Sequence, residues 1–315
     1  MSNLKLINMR DVEVEPICWL WYPFIPYGKV TIIQGDPGEG KTTLVLQIIA
    51  RLTKGERIID EDESLPINVI YQTAEDGLAD TIKPRLLAAN ADCSKVLVID
   101  DSDMPLTMRD ERLEQAIIET NAKLVVLDPI QGFLGADVDM HRANEIRPIM
   151  KHISELAEKY KCAIILIGHM NKCSVGKSAY RGLGSIDFQA AARSVLVVGR
   201  IKDEPEIRVV CQTKSSLAPE AKAVAFRLSE KNGFEWVGEY DVSADDLLSG
   251  IVKGTKKQAA MDFLESLLSG GQMSQTEIME LAERKSIAEK TLRNAKEALG
   301  IKSKRENNQW YWSLD

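Results

Sequence analysis

Residues 29–43 read Lys29-Val30-Thr31-Ile32-Ile33-Gln34-Gly35-Asp36-Pro37-Gly38-Glu39-Gly40-Lys41-Thr42-Thr43. A short apolar run ends at a glycine, a polar octet follows, and Gly40 to Leu52 has the spacing of a helix. The octet Gly35–Thr42 matches G-x-x-x-x-G-K-[ST] between a strand and a helix, the context of a phosphate-binding loop. Gly35, Gly38 and Gly40 let the backbone curl so that its N–H groups, with those of Asp36, Pro37's neighbours, Glu39 and Thr43, face phosphate oxygens. Lys41 supplies a point charge for the β- and γ-phosphates, and the Thr42 hydroxyl a ligand for Mg²⁺. The ligands this stretch calls for are ATP and Mg²⁺.

Outward from this point, strands and helices alternate. Ile67–Tyr71, Lys95–Ile99, Lys123–Leu127 and Cys162–Ile167 read as further strands, with helices over Arg109–Thr120 and Asn144–Tyr160. Strands that are apolar throughout and separated by helices predict a parallel sheet covered on both faces, an α/β three-layer domain. From Ser194 the texture changes. Ser194–Val198, Glu206–Thr213, Val224–Ser229 and Phe234–Tyr240 have no long helices between them, which predicts an antiparallel extension of the sheet. Residues 1–27 form an arm that ends in the aromatic cluster Trp19, Trp21, Tyr22, Phe24 and Tyr27, a packing or subunit-docking element. The α/β domain covers 28–240, and the polar stretch 241–255 reads as a linker. Residues 256–315 form a small unit with helices over Lys256–Leu268, Ser274–Glu283 and Ser286–Leu299, then a hairpin. That is the plan of a winged helix-turn-helix. Trp310 and Trp312 alternate along the last strand and are expected to share one face, in the core.

Composition sets limits. Of 315 residues, 44% are apolar and 28% charged, which excludes a fibrous or wholly disordered chain. No stretch approaches the ~20 uncharged apolar residues that span a bilayer. The first 15 residues lack the apolar segment of a signal peptide, so no membrane role and a cytoplasmic location are expected. Cys18, Cys93, Cys162, Cys173 and Cys211 are scattered with no CxxC pair, against a zinc site or a disulfide framework. The net charge of -7 excludes a uniformly basic nucleic-acid coat. Residues 251–315 nevertheless carry +2 and the remainder -9, as expected of an acidic body with a basic appendage.

Other candidates lie at strand ends. Asp128 closes Leu124-Val125-Val126-Leu127, a Walker-B arrangement that helps hold Mg²⁺, and the expected sheet order puts it beside the phosphate loop. Glu75, in Gln72-Thr73-Ala74-Glu75-Asp76, can accept a proton from an attacking water, with Asp76 as the alternative; two solvated turn residues are the plainer reading. His169 follows the fifth strand and can sense the γ-phosphate by hydrogen bonding, whereas His141 and His152 read as structural. Residues 171–184 hold Lys172, Lys177, Tyr180 and Arg181 among three glycines, a basic loop suited to single-stranded DNA. Arg193, Arg200 and Lys214 flank the later strands, where a cation can reach a neighbouring subunit's nucleotide. In the tail, Lys290, Arg293 and Lys296 recur at i, i+3 and i+6, with Lys302, Lys304 and Arg305 on the wing; these are candidate contacts to duplex DNA.

Together these motifs resemble the RecA-fold ATPases and, within them, the RepA-like hexameric helicase family. The resemblance covers about residues 15–240. It rests on Leu20-Trp21-Tyr22-Pro23, Pro26-Tyr27-Gly28-Lys29, the phosphate loop, Thr73-Ala74-Glu75-Asp76, Leu127-Asp128-Pro129, Gly168-His169-Met170-Asn171-Lys172 and Arg181-Gly182-Leu183-Gly184-Ser185. It implies Glu75 as catalytic base, Asp128 as Walker-B carboxylate and His169 as γ-phosphate sensor. It further implies Arg193 as arginine finger, with Arg200 second, and Lys214 as the lysine that serves the neighbour's nucleotide. A ring of six copies acting on DNA in replication with a primase or initiator partner is the assembly the resemblance implies. A winged-helix tail is common on ATPases of plasmids, prophages and other mobile elements. An ATP-switched DNA-binding regulator without unwinding activity is the alternative.

Overall fold

The computed structural model describes residues 6–59, 64–170, 186–249, 256–285, 287–306 and 309–314. Its centre is β3 (Val30–Gly35), buried at every position. Burial on both faces follows from the alternation of side chains along a strand. Ile32, with Ile70, Val125, Leu127, Ile164 and Leu166 of neighbouring strands, faces one apolar layer. Ile33, with Val69, Tyr71, Val126 and Ile165, faces the other. The first layer is closed by α3 (Glu111–Thr120) and α4 (Ala143–Tyr160), through Leu113, Ile117, Ile146, Ile149 and Ile153. The second is closed by α1 (Lys41–Lys54) and α2 (Lys83–Ala88), through Leu44, Val45, Ile48 and Leu86.

The remaining strands are β1 (Trp19–Trp21), β2 (Ile25–Pro26), β4 (Val69–Thr73), β5 (Val96–Leu97), β6 (Leu124–Asp128), β7 (Ala163–His169), β8 (Ser194–Ile201), β9 (Glu204–Ser215), β10 (Ala223–Ser229) and β11 (Gly233–Tyr240). A short helix, α5 (Ile186–Ala191), precedes β8. The large sheet runs β11-β10-β9-β8-β3-β7-β6-β4-β5. From β8 to β5 every pairing is parallel, and β9, β10 and β11 extend it antiparallel. The expected three-layer α/β architecture with an antiparallel extension is therefore what the chain adopts. Among the described residues no helix is long and apolar enough to cross a membrane.

Asp128 ends beside the phosphate loop, its Oδ2 accepting from the Thr42 hydroxyl, although β7 lies between β6 and β3. Two local expectations need correction. The strand read over Lys95–Ile99 is only two residues long; beyond it the Gln72 side chain takes over the ladder, donating to Ile99 O at 3.2 Å and accepting from Ile99 N at 2.6 Å. The stretch read as a linker contains α6 (Ala244–Ser249), whose buried Leu247 packs tightly over Gly199, where a Cβ would lie 3.1 Å from Leu247 Cγ. The aromatic cluster packs against the sheet: Trp21 is buried, 4.4 Å from Phe24 and 5.8 Å from Trp236 between ring centres.

The C-terminal residues form α7 (Lys256–Leu268), β12 (Met273–Ser274), α8 (Gln275–Arg284), α9 (Glu289–Ala298), β13 (Lys302–Glu306) and β14 (Gln309–Ser313). Ser274 caps α8 by accepting from Glu277 N at 3.3 Å. Phe263, Leu264, Ile278, Leu292, Ile301 and Trp312 make up the core of this unit. Trp310 is a correction: it is half exposed, pairing only with Arg305 of β13, while Trp312 is buried between β12 and β13.

Candidate nucleotide site

The carboxyl ends of β3, β7, β6 and β4 meet along one edge of the sheet, where open α/β folds bind ligands. The phosphate loop leaves β3 at Gly35, where a Cβ would lie 2.2 Å from Val198 O, so only glycine lets β8 pass this close. Gly40 has φ +90° and directs the chain into α1. Lys41 is buried; its Nζ donates to Gly35 O at 2.9 Å and Asp36 O at 2.8 Å. Burial holds the Lys41 amine below its ordinary pKa, and the carboxylates of Asp128, Asp36, Glu39 and Glu75 pull it back.

The Thr42 hydroxyl donates to Asp128 Oδ2 at 2.7 Å, so the two residues meet despite the intervening strand. The same oxygen accepts from the Tyr71 hydroxyl at 2.9 Å. Tyr71 was not among the sequence candidates; a lone phenol in an aliphatic strand was the available signal. Burial raises the Asp128 pKa, and the bonds from Thr42 and Tyr71 oppose that rise. Burial beside the Asp128 carboxylate raises the Tyr71 phenol as well, so it stays a donor. Thr42 and Asp128 are hard oxygen donors at one point of the cleft. That donor set suits Mg²⁺, which takes one or two protein ligands and completes its shell with phosphate and water.

Across the cleft, Glu75 Oε2 lies 3.8 Å from His169 Nε2. His169 Nδ1 is buried with no hydrogen-bond partner among the described residues. Asp76 is held differently: its backbone N–H donates to Thr73 Oγ1 at 3.1 Å and its carboxylate pairs with Arg85 at 3.3 Å. Glu75 is thus the carboxylate left facing the histidine. Arg85, also absent from the sequence candidates, lines the same cleft of about 270 Å³ with Lys41, Thr42, Asp128 and His169. Its place on α2 gave no local signal; only the packing of α2 against α1 brings it there.

The three later cations separate. Arg200, at the carboxyl end of β8, points to its own phosphate loop, donating to Gly38 O at 3.3 Å with Glu39 at 3.9 Å. Arg193 stands at the opposite end of β8, exposed, with its N–H bonded to Val30 O. Val30 and Gly35 are five residues apart on β3, roughly 16 Å at strand rise. Lys214 sits at the same far end, its register partner being Val195. Its amine donates to Gln189 O at 2.7 Å and Ala190 O at 3.0 Å, and burial, then the charge of Arg193, lowers its pKa.

Lys172, Lys177, Tyr180 and Arg181 lie outside the described residues. In the tail, α9 begins at Glu289, three residues after the expected Ser286, which itself lies outside the description. Lys290 is exposed. Arg293 makes a two-pronged pair with Glu289 at 2.6 and 2.9 Å. Lys296 donates to Ser303 Oγ and lies 4.4 Å above the Trp312 ring, so it joins α9 to the β13–β14 pair instead of projecting outward.

A family model described as an AAA domain matches residues 3–175. The DNA repair protein RadA of Halalkalibacterium halodurans is 29% identical over 148 residues, 46% of this chain and 28% of that protein. Protein RecA of Solidesulfovibrio magneticus is 24% identical over 232 residues, 68% of this chain and 62% of that protein. The chain thus spans less than two thirds of these relatives' lengths. Among solved structures, a KaiC-like protein from Pyrococcus horikoshii gives a TM-score of 0.50 at 18% identity, covering 70% of this chain and 99% of that one. The ATPase domain of G40P gives 0.51 at 14% identity, covering 67% and 85%. These likenesses agree with the strand order and the loop between β3 and α1 in showing a RecA-like P-loop fold. The matched family spans more than half of the chain, which belongs to the AAA-domain family and is built on a RecA-like core.

Proposed function

We propose that this chain is an Mg²⁺-dependent ATPase that works as a ring of identical subunits on single-stranded DNA, a helicase-like replication motor of a mobile element. The observation that carries the ring is the placement of Arg193. It lies at the amino end of β8, roughly 16 Å along the sheet from the carboxyl ends where its own phosphate loop sits. A finger in that position serves a nucleotide on the next subunit. Arg200, on its own loop, serves the nucleotide it sits beside.

Within one subunit, the backbone of 35–42 and the Lys41 amine bind the phosphates. Thr42, with Asp128, would hold Mg²⁺, which when bound supplies charge neutralisation at the β- and γ-phosphates. Tyr71 keeps the Asp128 carboxylate oriented. Glu75 takes the proton of the attacking water, and His169 ties Glu75 to the γ-phosphate end of the cleft. Arg193 of the neighbour neutralises charge that develops on transfer, with Lys214 beside it. Residues 171–184 begin two residues after His169 and are the segment we assign to the DNA strand. The likeness to a DNA repair protein, RadA, supports DNA as the polymer this chain acts on. The element order of 256–314 supports reading it as a winged helix-turn-helix.

The test is the ATPase rate alone, with single-stranded DNA and with duplex DNA. Several-fold stimulation by the single strand is expected. Equal rates in all three, with duplex binding intact, would favour an ATP-switched regulator.

A further inference from the structure

The C-terminal unit contains a cleft of about 800 Å³ between α8, the start of α9 and β14. Its apolar surface comes from Met279, Ile287 and Trp310, and Trp310 is the one exposed tryptophan of the five. Its charged residues are Glu280, Glu283 and Glu289; among the described residues no lysine or arginine lines it. Glu289 is neutralised by Arg293. Glu280 and Glu283 are exposed and have no cation partner among the described residues. They stand three apart on one helix, so each raises the electrostatic cost of the other.

We infer that this cleft docks a basic segment of a partner protein, a short stretch with one bulky apolar side chain flanked by lysines or arginines. The apolar side chain covers Trp310 and Met279, in the manner of an anchor seated in a pocket. The flanking cations relieve the Glu280–Glu283 repulsion. Charge argues against the other occupants. Phosphate groups of DNA would be drawn toward carboxylates that repel them. A second copy's body, residues 1–250, carries a net charge of -9 and is repelled as well. Of the three cations expected to hold DNA from α9, Arg293 is engaged by Glu289 and Lys296 by Ser303 and Trp312, and the exposed Lys290 does not line the cleft. The inference does not depend on what the ATPase core does.

The experiment uses the full chain and three fluorescent probes: a short amphipathic lysine–leucine peptide, its glutamate–leucine counterpart, and a short DNA duplex. Fluorescence anisotropy at physiological salt is expected to show saturable binding of the lysine–leucine peptide and none of the glutamate–leucine peptide. Glu280→Lys with Glu283→Lys, and separately Trp310→Ala, should each weaken the peptide at least about tenfold. The milder pair Glu280→Gln with Glu283→Gln should weaken it by a smaller factor with thermal unfolding unchanged, which separates lost charge from lost folding. Equal peptide affinity in the wild-type and charge-reversed chains would overturn the site. Duplex binding that Trp310→Ala abolishes would overturn the assignment of the cleft to a protein partner.

Discussion

Thr42 donates a 2.7 Å hydrogen bond to Asp128 Oδ2 across the end of β7, which separates their strands. The contact forms because α1 starts directly after the phosphate loop and carries Thr42 over the sheet edge. Asp128 is buried there, and its pKa is raised by that burial.

A pH dependence follows. A carboxyl whose folded pKa exceeds its unfolded value costs stability where it is ionised, and the cost fades as pH falls through the folded pKa. Asp128→Asn keeps an acceptor for Thr42 and Tyr71 and removes the buried charge. Without nucleotide, it should be more stable than wild type by about 1 kcal/mol at pH 8, with a smaller gain at pH 5. Denaturant titration at the two pH values reads this. Magnesium-dependent ATP binding should be lost in the same variant.

The Tyr71 hydroxyl meets the site through its bond to Asp128 Oδ2. Tyr71→Phe removes one donor to a buried carboxylate and should destabilise by about 1–3 kcal/mol. ATP affinity should fall only when Mg²⁺ is present. Equal loss with and without Mg²⁺ would mean that Tyr71 acts only on packing.

Glu75 and Asp76 can be told apart by their partners. Glu75→Gln should retain ATP binding and lose at least about a hundredfold in turnover, the usual weight of a general base. Asp76→Asn, which breaks only the pair with Arg85, should lose far less. The reverse ranking in single-turnover assays would move the base to Asp76.

Arg193 and Arg200 should differ in the direction of their effect. Arg193→Ala should lose turnover and keep nucleotide affinity. Mixing it with Lys41→Ala subunits, which carry an intact finger, should restore part of the activity. Arg200→Ala should weaken ATP binding within its own subunit, and Lys41→Ala subunits should not rescue it. An absence of complementation for Arg193 would count against the shared site.

The phosphate loop was legible from residues alone because its chemistry is local. Glycines, a lysine and a threonine at fixed spacing act within one turn of chain, and the flanking strand and helix declare themselves by apolar periodicity. The three-layer sheet was legible for the same reason, since strands such as Leu124–Asp128 are apolar on both faces. Strand order was not, because apolar strands of similar composition carry no label for their neighbours. Only the tertiary structure puts β7 between Asp128 and the loop, brings Tyr71 and Arg85 to the cleft, and sends Arg193 and Arg200 to opposite ends of one strand. Lys296 shows the same limit: helical spacing places a charge on a face, but the strand that packs on that face decides whether the charge meets solvent or the Trp312 ring. Sequence determines what each segment can do locally; long-range packing decides which segments act together.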